Sequence, residues 1–300
     1  MVSSSACAKT ILFGEHAVVY GEPAIAVPLH SARTFADIIP NGKTFRVRSE
    51  TTHLNRPIDR ISPDTGLYKL LMLIREEFGF DEFPQAVLKI SSSIPIASGL
   101  GSGAALSAAV IRTFAAYYGK NPDTETVNKM VFEIEKVYHG TPSGIDNTVI
   151  VYEQPLIFTK GSGFSVLNCD ISKLPLIIAD TGIRSRTVDA VSHVRANYDQ
   201  NKNALHGIGL IVKEAVGLLE STNIPEIGRL MNENQQLLRA IDVSCPELDD
   251  LISLALENGA CGAKLTGAGR GGNFIVLCED SAHADRLRSV YKEQGVRVIL

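Results

Sequence analysis

The chain has no tryptophan, and only 6% of its residues are aromatic. No stretch approaches the roughly 18 uninterrupted apolar residues that a membrane-spanning helix needs, so no membrane association is expected. Five cysteines (Cys7, Cys169, Cys245, Cys261 and Cys278) are scattered, and none stands in a C-x-x-C pair. That odd, dispersed set indicates neither a disulfide framework nor a zinc knuckle. The opening Met1-Val2-Ser3-Ser4-Ser5 lacks the charged-then-apolar build of a secretion signal, and a reducing, cytoplasmic compartment is expected. Neither sign of charge dominates. The 29 Lys and Arg against 33 Asp and Glu leave a formal net charge of −4. Composition therefore forces no basic face, and nucleic acid is not an expected partner.

What is present is a globular balance, 45% hydrophobic and 21% charged over 300 residues. That length suits one large domain or two modest ones. Thr10 to Phe13, Ala17 to Tyr20 and Ala24 to Val27 read as short apolar strands joined at Gly14 and at Gly21-Glu22-Pro23. Thr34 to Ile39 and Thr44 to Arg48 alternate around Asn41-Gly42, which predicts a hairpin. Helical spacing marks Leu67 to Phe78, Ser102 to Tyr118 and a stretch from Pro122-Asp123 to Tyr138. Strands are expected at Ala86 to Ile94, Val149 to Tyr152 and Leu156 to Phe158. Beyond Gly161-Ser162-Gly163 the pattern changes. It gives a strand at Leu176 to Ala179, helices at Thr187–Ala204, Leu205–Leu219, Ile224–Asn234 and Pro246–Asn258, a strand at Phe274 to Cys278, a helix at His283–Gln294 and a last strand at Val296 to Leu300. A boundary near residue 165 divides the chain into domains 1–165 and 166–300. Hairpin-linked strands among helices favour α+β over a doubly wound sheet.

Three glycine-rich places carry chemistry. Pro95-Ile96-Ala97-Ser98-Gly99-Leu100-Gly101-Ser102-Gly103-Ala104-Ala105 lies between a strand and an Ala-rich helix. Glycines let the backbone approach a ligand, and the helix start offers free N–H groups and a positive dipole end. The functional reading is a phosphate site; the plain alternative is a loop kept for close packing. A Walker A loop is excluded, because Ala104 and Ala105 follow Gly103 where Lys-Ser/Thr is required. A dinucleotide fold is excluded because the next element is a helix, not an acid-tipped strand. The second place, Lys264-Leu265-Thr266-Gly267-Ala268-Gly269-Arg270-Gly271-Gly272, is weak alone. The third, His139-Gly140-Thr141-Pro142-Ser143-Gly144-Ile145-Asp146-Asn147, presents Asp146 just before an expected strand. That residue is either a turn-former or a carboxylate aimed into a cleft. Glu133 and Glu135 on the preceding helix are two apart, so only one can face that cleft.

Together these segments resemble the motifs of a known superfamily: the galactokinase, homoserine kinase, mevalonate kinase and phosphomevalonate kinase (GHMP) kinases. Lys9 to Ala26, Gly99-Leu100-Gly101-Ser102 and Gly267-Ala268-Gly269-Arg270-Gly271-Gly272 match in the family's order. Phe13-Gly14-Glu15-His16-Ala17-Val18-Val19-Tyr20-Gly21 and the Asp146 segment most resemble its mevalonate-phosphorylating branch. The resemblance implies a two-domain α+β fold, with a ribosomal protein S5 domain 2-like first half and a ferredoxin-like second half. It implies transfer of the ATP γ-phosphate, with Mg²⁺, to a small-molecule hydroxyl. In the mevalonate branch this gives 5-phosphomevalonate for isoprenoid biosynthesis. Carried across by position, Lys9 lies near the reacting hydroxyl and Asp146 orients or deprotonates it. Glu135 takes the place of the Mg²⁺ ligand, with Ser102 as a second candidate. The nucleotide would be held by Pro95, Ser98, Gly99, Leu100, Gly101, Ser102, Gly103 and Ala104. The acceptor would be held by Lys9, Glu15, His16, Asp146, Thr181, Gly267 and Ala268. Arg184, Arg186 and Arg195 are candidates for its carboxylate, each with a solvated surface charge as the plain alternative.

Three departures from the family pattern stand out: Cys7-Ala8 before the lysine where Pro-Gly is usual, Gly103 where a second serine is usual, and Arg270 where a glycine is usual. Because a glycine there can take positive φ and arginine resists it, an ordinary backbone is expected at Arg270, with its side chain swung outward or laid along phosphates. Other acceptors (a sugar, phosphomevalonate or the mevalonate 3-hydroxyl) remain alternatives, as does a catalytically silent metabolite-binding relative. Oligomeric state is open, with a homodimer as one option.

Overall fold

The computed structural model describes residues 1–96, 98–140, 142–184 and 187–300. Ala97, Thr141 and Arg186, named above, lie outside the described residues. The chain forms two compact units. The first comprises Met1–Lys9, Pro28–Ile96 and Gly101–Glu153; the second comprises Thr10–Val27, Ala97–Leu100 and Gln154–Leu300. Among the described residues no helix is long and apolar enough to cross a membrane.

In the first unit lie parts of β1 (Val2–Phe13) and β2 (Pro23–Pro40), then β3 (Arg46–Ser49), β4 (Leu54–Pro57), α1 (Gly66–Phe78), β5 (Ala86–Ser92), α2 (Ser102–Tyr117), α3 (Thr124–His139) and α4 (Ile145–Tyr152). The strand order is β4-β3-β5-β2, with β1 beside β2. Thr65 caps α1 by accepting from the Tyr68 N–H, and Gly79, at φ 67°, ends it. Asp123 caps α3 by accepting from Thr126 N at 2.7 Å. Ala104, Ala105, Ala108 and Ala109 of α2 are fully buried, and such small side chains let a helix seat close to its neighbours. Thr113 Oγ1 bonds the β2 carbonyl of Ala36 at 2.9 Å. Arg112 ties α2 to Ser5 O at 3.0 Å and to Val151 O at 2.7 Å.

Two local expectations fail in this unit. Asn41-Gly42 does not close a hairpin, because β5 lies between β2 and β3. It runs antiparallel to β2 (Ile38↔Leu88) and parallel to β3 (Val47↔Leu88). The Asn-Gly turn is real, with Lys43 N bonding Asn41 Oδ1 at 2.8 Å, but it joins strands that are not neighbours. Val149 to Tyr152 is helical, not extended, and Asp146 sits in the first turn of α4. Six of the eight α4 residues are buried, and packing on all sides overrides the strand preference of Val149-Ile150-Val151.

In the second unit, Pro23–Ala26 of β2 pairs with β6 (Leu156–Thr159), and β6 pairs with β7 (Gly163–Val166), a strand the sequence does not announce. There follow β8 (Leu176–Asp180), α5 (Thr187–Ala196), α6 (Tyr198–Glu220), α7 (Ile224–Ala240), α8 (Pro246–Glu257), β9 (Gly262–Leu265), β10 (Asn273–Leu277), α9 (Ser281–Glu293) and β11 (Arg297–Val298). They build an antiparallel sheet, β11-β8-β10-β9. Its core gathers Phe274, Leu265, Ile252, Leu248 and Tyr291. The α+β expectation holds. Ala17 to Tyr20 is a 3₁₀ turn rather than a strand. Positive φ at Gly14 (98°) and His16 (61°) curls the chain so that Val18 N bonds Gly14 O at 3.1 Å. The helix break expected at 204/205 falls at Asn197 instead.

At Gly228 and Gly262, α7 meets β9 backbone to backbone, and a Cβ on either would overlap main-chain atoms of the other segment. Gly228→Ala should therefore cost about 1–3 kcal/mol, read as a lower denaturant midpoint. An unchanged midpoint would show that the two backbones can part freely.

Candidate functional site: an ion pair, a buried glutamate and two glycine loops

In the first unit, Lys9 emerges from β1 and Asp146 from the first turn of α4. Lys9 Nζ meets Asp146 Oδ1 at 2.7 Å. The lysine is 3% exposed and the aspartate 32%, so the carboxylate keeps a face open to a ligand. Glycine starts α4: Gly144, at φ 94°, supplies no side-chain cap. An acid in that turn is favoured by the helix dipole.

Glu135 of α3 is 2% exposed, whereas Glu133 is 54% exposed and bonds Lys136 at 2.7 Å. The two therefore face opposite ways, as spacing requires, and it is Glu135 that turns inward. Burial first, and the Asp146 charge second, push the Glu135 carboxyl up to about 7, with Lys9 opposing. The start of α2 lies on the same side. A Cβ at Gly103 would stand 3.1 Å from Glu135 Oε1 and 3.6 Å from the Tyr138 ring. The absent serine side chain of the family pattern would thus point at Glu135. Gly101, at φ 75°, precedes α2 with no side-chain cap, leaving its first N–H groups available to an anion.

Pro95 and Gly101–Ala104 belong to the first unit, while Ser98, Gly99 and Leu100 group with the second. Pro95 and Leu100 are buried and Gly99 is exposed. The Ser98 carbonyl accepts a bond from Asn273 Nδ2.

The second unit brings Glu15 and His16 to the glycine segment Lys264–Gly272. Glu15 and Lys264 form an ion pair with no exposure on either side. One His16 ring nitrogen, Nε2, lies 2.9 Å from Ala268 O. Thr10 and Thr266 share a hydroxyl contact at 2.9 Å, and Thr266 Oγ1 donates to Ile11 O at 2.9 Å. Thr181 N donates to Gly272 O, and Gly272 N to Ile183 O, both at 2.9 Å. Arg184 and Arg195 are exposed.

Arg270 corrects an expectation. Its backbone is left-handed, at φ 56°. The cost is offset locally: Arg270 N bonds Val243 O at 2.8 Å, Nε bonds Asp242 O at 3.1 Å and Nη2 meets Asp242 Oδ2 at 2.9 Å. The side chain turns to the residues after α7 rather than laying its charge out for phosphate. Lys264, Thr10 and Thr266 escape sequence reasoning as partners, because about 250 residues separate the ends of each contact and no local pattern spans that distance.

Two family models match the chain: GHMP kinases N terminal domain over residues 66–154, and GHMP kinases C terminal over residues 215–297. The chain belongs to the GHMP kinases. The mevalonate kinase of Thermococcus sibiricus is 34% identical over 305 aligned residues, covering 93% of this chain and 90% of that protein. That of Aeropyrum pernix is 32% identical, covering 97% and 93%. Among solved structures, the L. major mevalonate kinase in complex with R-mevalonate matches at a TM-score of 0.83 and 30% identity, over 98% of this chain and 92% of that one. Within the family, these relatives are mevalonate kinases.

His16 gives a pH test. Burial lowers its pKa to about 4, helped by the charges of Arg270 and Lys264 and opposed by the Ala268 bond. The unfolded imidazole takes a proton below about 6.5, so stability is full above that value and falls as the pH drops toward 4. The loss is roughly 3 kcal/mol at most. Between pH 7 and pH 5, His16→Gln should lose less denaturation midpoint than the wild type. Equal losses would show that His16 is not the group responsible.

Proposed function

We propose that the protein transfers the γ-phosphate of ATP to the 5-hydroxyl of mevalonate, giving 5-phosphomevalonate. The Lys9–Asp146 pair, partly open and beside a buried glutamate and an uncapped helix start, carries this reading. Kinship with mevalonate kinases of 32–34% identity over nearly the whole chain supports the choice of acceptor.

The chemistry follows from these residues. Phosphoryl transfer asks for little covalent help; it asks for an acceptor held in line and for charge to be offset. Asp146 accepts a hydrogen bond from the acceptor hydroxyl and takes its proton as the new P–O bond forms and the bond from the γ-phosphorus to the β–γ bridging oxygen breaks, with ADP leaving. The Lys9 ammonium, held at Asp146, offsets negative charge on the carboxylate and on the acceptor oxygen. N–H groups of Ser102, Gly103 and Ala104 at the start of α2 receive phosphate oxygens.

A divalent cation fits the donor set. Magnesium takes oxygen ligands and keeps several waters, and Glu135 is a buried carboxylate whose charge a cation would favour. We assign Glu135 as the principal protein ligand and Ser102 as a second. When bound, Mg²⁺ would neutralise β- and γ-phosphate charge. Glu15, His16, Thr181, Gly267 and Ala268 are assigned to the acceptor by family position. The five free thiols support a cytoplasmic setting.

A turnover assay with Mg·ATP against mevalonate, phosphomevalonate and sugars tests the reading, and preference for another acceptor would overturn it. Asp146→Asn should keep ATP binding and lose roughly 10²-fold or more in kcat; near-normal turnover would remove Asp146 from the mechanism. Glu135→Gln should raise the Mg²⁺ concentration needed for half-maximal rate, while Glu133→Gln should leave it nearly unchanged. The opposite pattern in a Mg²⁺ titration would reassign the metal.

A further inference from the structure

Two segments of the second unit, Gly14–His16 and Thr266–Ala268, are held together by contacts that include three residues the chemistry above does not use, Lys264, Thr10 and Thr266. Lys264 leaves β9 with an ammonium wholly removed from solvent, and its partner Glu15 is equally buried. Lys264 Nζ donates to the Glu15 carboxylate and, at 2.7 Å, to Leu265 O. Burial opposes the ammonium's charge, and Glu15 sustains it.

A pair taken out of water is a poor source of stability, since apolar residues of like volume often do as well or better. Either charge left alone, however, costs far more than the pair. Such a pair therefore tolerates no slip between the segments that carry it. Its neighbours repeat the pattern. Lys264 and Thr266 are alternate residues at and just past the end of β9, which in extended chain fall on one side, and Gly267, at φ 84°, then turns the chain so that Ala268 presents its carbonyl. Lys264 meets Glu15, Thr266 meets Thr10 and Ile11, and Ala268 meets His16. Each contact joins the end of β1 or the turn after it to the approach of the Gly267–Gly272 loop.

We infer that Lys264 is a positioning residue for the acceptor, acting through Glu15 to fix the register of the Gly14–His16 turn against the Thr266–Ala268 segment. With no surface of its own, it acts on the reaction only through the groups it aligns. The inference rests on the reading that Glu15, His16, Gly267 and Ala268 serve the acceptor.

Steady-state kinetics and thermal melting together test it. Lys264→Met strands a buried carboxylate and should lower the melting temperature and raise the KM for mevalonate. Lys264→Met combined with Glu15→Gln removes both charges at similar volume and should recover most of the melting temperature. In that double variant the KM for mevalonate should stay roughly ten-fold above wild type, with the KM for ATP within about two-fold, and because Glu15 is itself assigned to the acceptor, Thr266→Val, which leaves Glu15 in place, must raise the KM for mevalonate as well. Ile252→Ala, which opens a cavity in the unit's core, should lower the melting temperature and leave both KM values alone. A double variant with a wild-type KM for mevalonate, or with both KM values raised alike, overturns the inference. Should the double variant not fold, Thr266→Val decides. It keeps the volume and removes the hydroxyl that joins Thr10 to Ile11 O, and the KM for mevalonate should rise about three-fold; no rise overturns the inference. Wild-type turnover of mevalonate is measured first. If another acceptor from the panel is used instead, the proposed substrate fails, and the variants are compared on that acceptor.

Discussion

The ion pair between Lys9 and Asp146 is the contact around which the first unit is arranged. A nearly buried ammonium needs a fixed anion, and a carboxylate with the role proposed for Asp146, that of receiving a proton, must be held still while staying open on one side. The fold meets both conditions by taking Lys9 from a strand and Asp146 from the first turn of a short, buried helix. Gly144 lets that helix begin abruptly, and Arg112 anchors its far end through Val151 O. Asn147 Nδ2 bonds Asn128 Oδ1 at 2.7 Å, joining α4 to α3, the helix that carries Glu135. In the proposed reaction, position more than reactivity is what these side chains would supply, since phosphoryl transfer is largely a matter of alignment and charge.

The second unit solves a different problem, that of keeping a glycine-rich turn in one shape. Gly267, Gly269, Arg270, Gly271 and Gly272 all have positive φ, a run that only glycine adopts cheaply. The loop is pinned on two flanks. On one, Gly269 lies so close to the Val243 carbonyl that no Cβ fits, and Arg270 bonds Asp242 and Val243. On the other, Gly272 exchanges backbone bonds with Thr181 and Ile183. Asp242 is itself left-handed, at φ 59°, and its carboxylate also meets His193 Nε2 at 3.1 Å. Two unfavourable backbone conformations therefore face each other and share their bonds. That is how an arginine is tolerated where the family pattern has glycine.

Much of this was legible in the residues. Helical periodicity located α1, α2 and α3 within a residue or two, and Asp123, expected at the start of α3, stands just before it as its cap. The two-residue spacing of Glu133 and Glu135 correctly required opposite faces. Reading failed where tertiary contacts outweighed local preference. Val149-Ile150-Val151 reads as a strand, but helix α4 is buried on nearly every side. Asn41-Gly42 reads as a hairpin, but β5, which begins more than 40 residues later, occupies the gap. Arg270 was expected to keep an ordinary backbone because nothing near it in sequence announces Asp242. Glu15 drew attention for its family position, while the residue that fixes it, Lys264, lies 249 residues away.

The proposed reaction places the phosphate on the primary 5-hydroxyl of mevalonate. Proton-coupled phosphorus NMR of the product formed from Mg·ATP and mevalonate tests this most directly. Phosphate on the 5-oxygen neighbours a methylene group, and its resonance should split into a triplet. A singlet would place the phosphate on the tertiary 3-oxygen, where no vicinal proton exists, and would contradict the account.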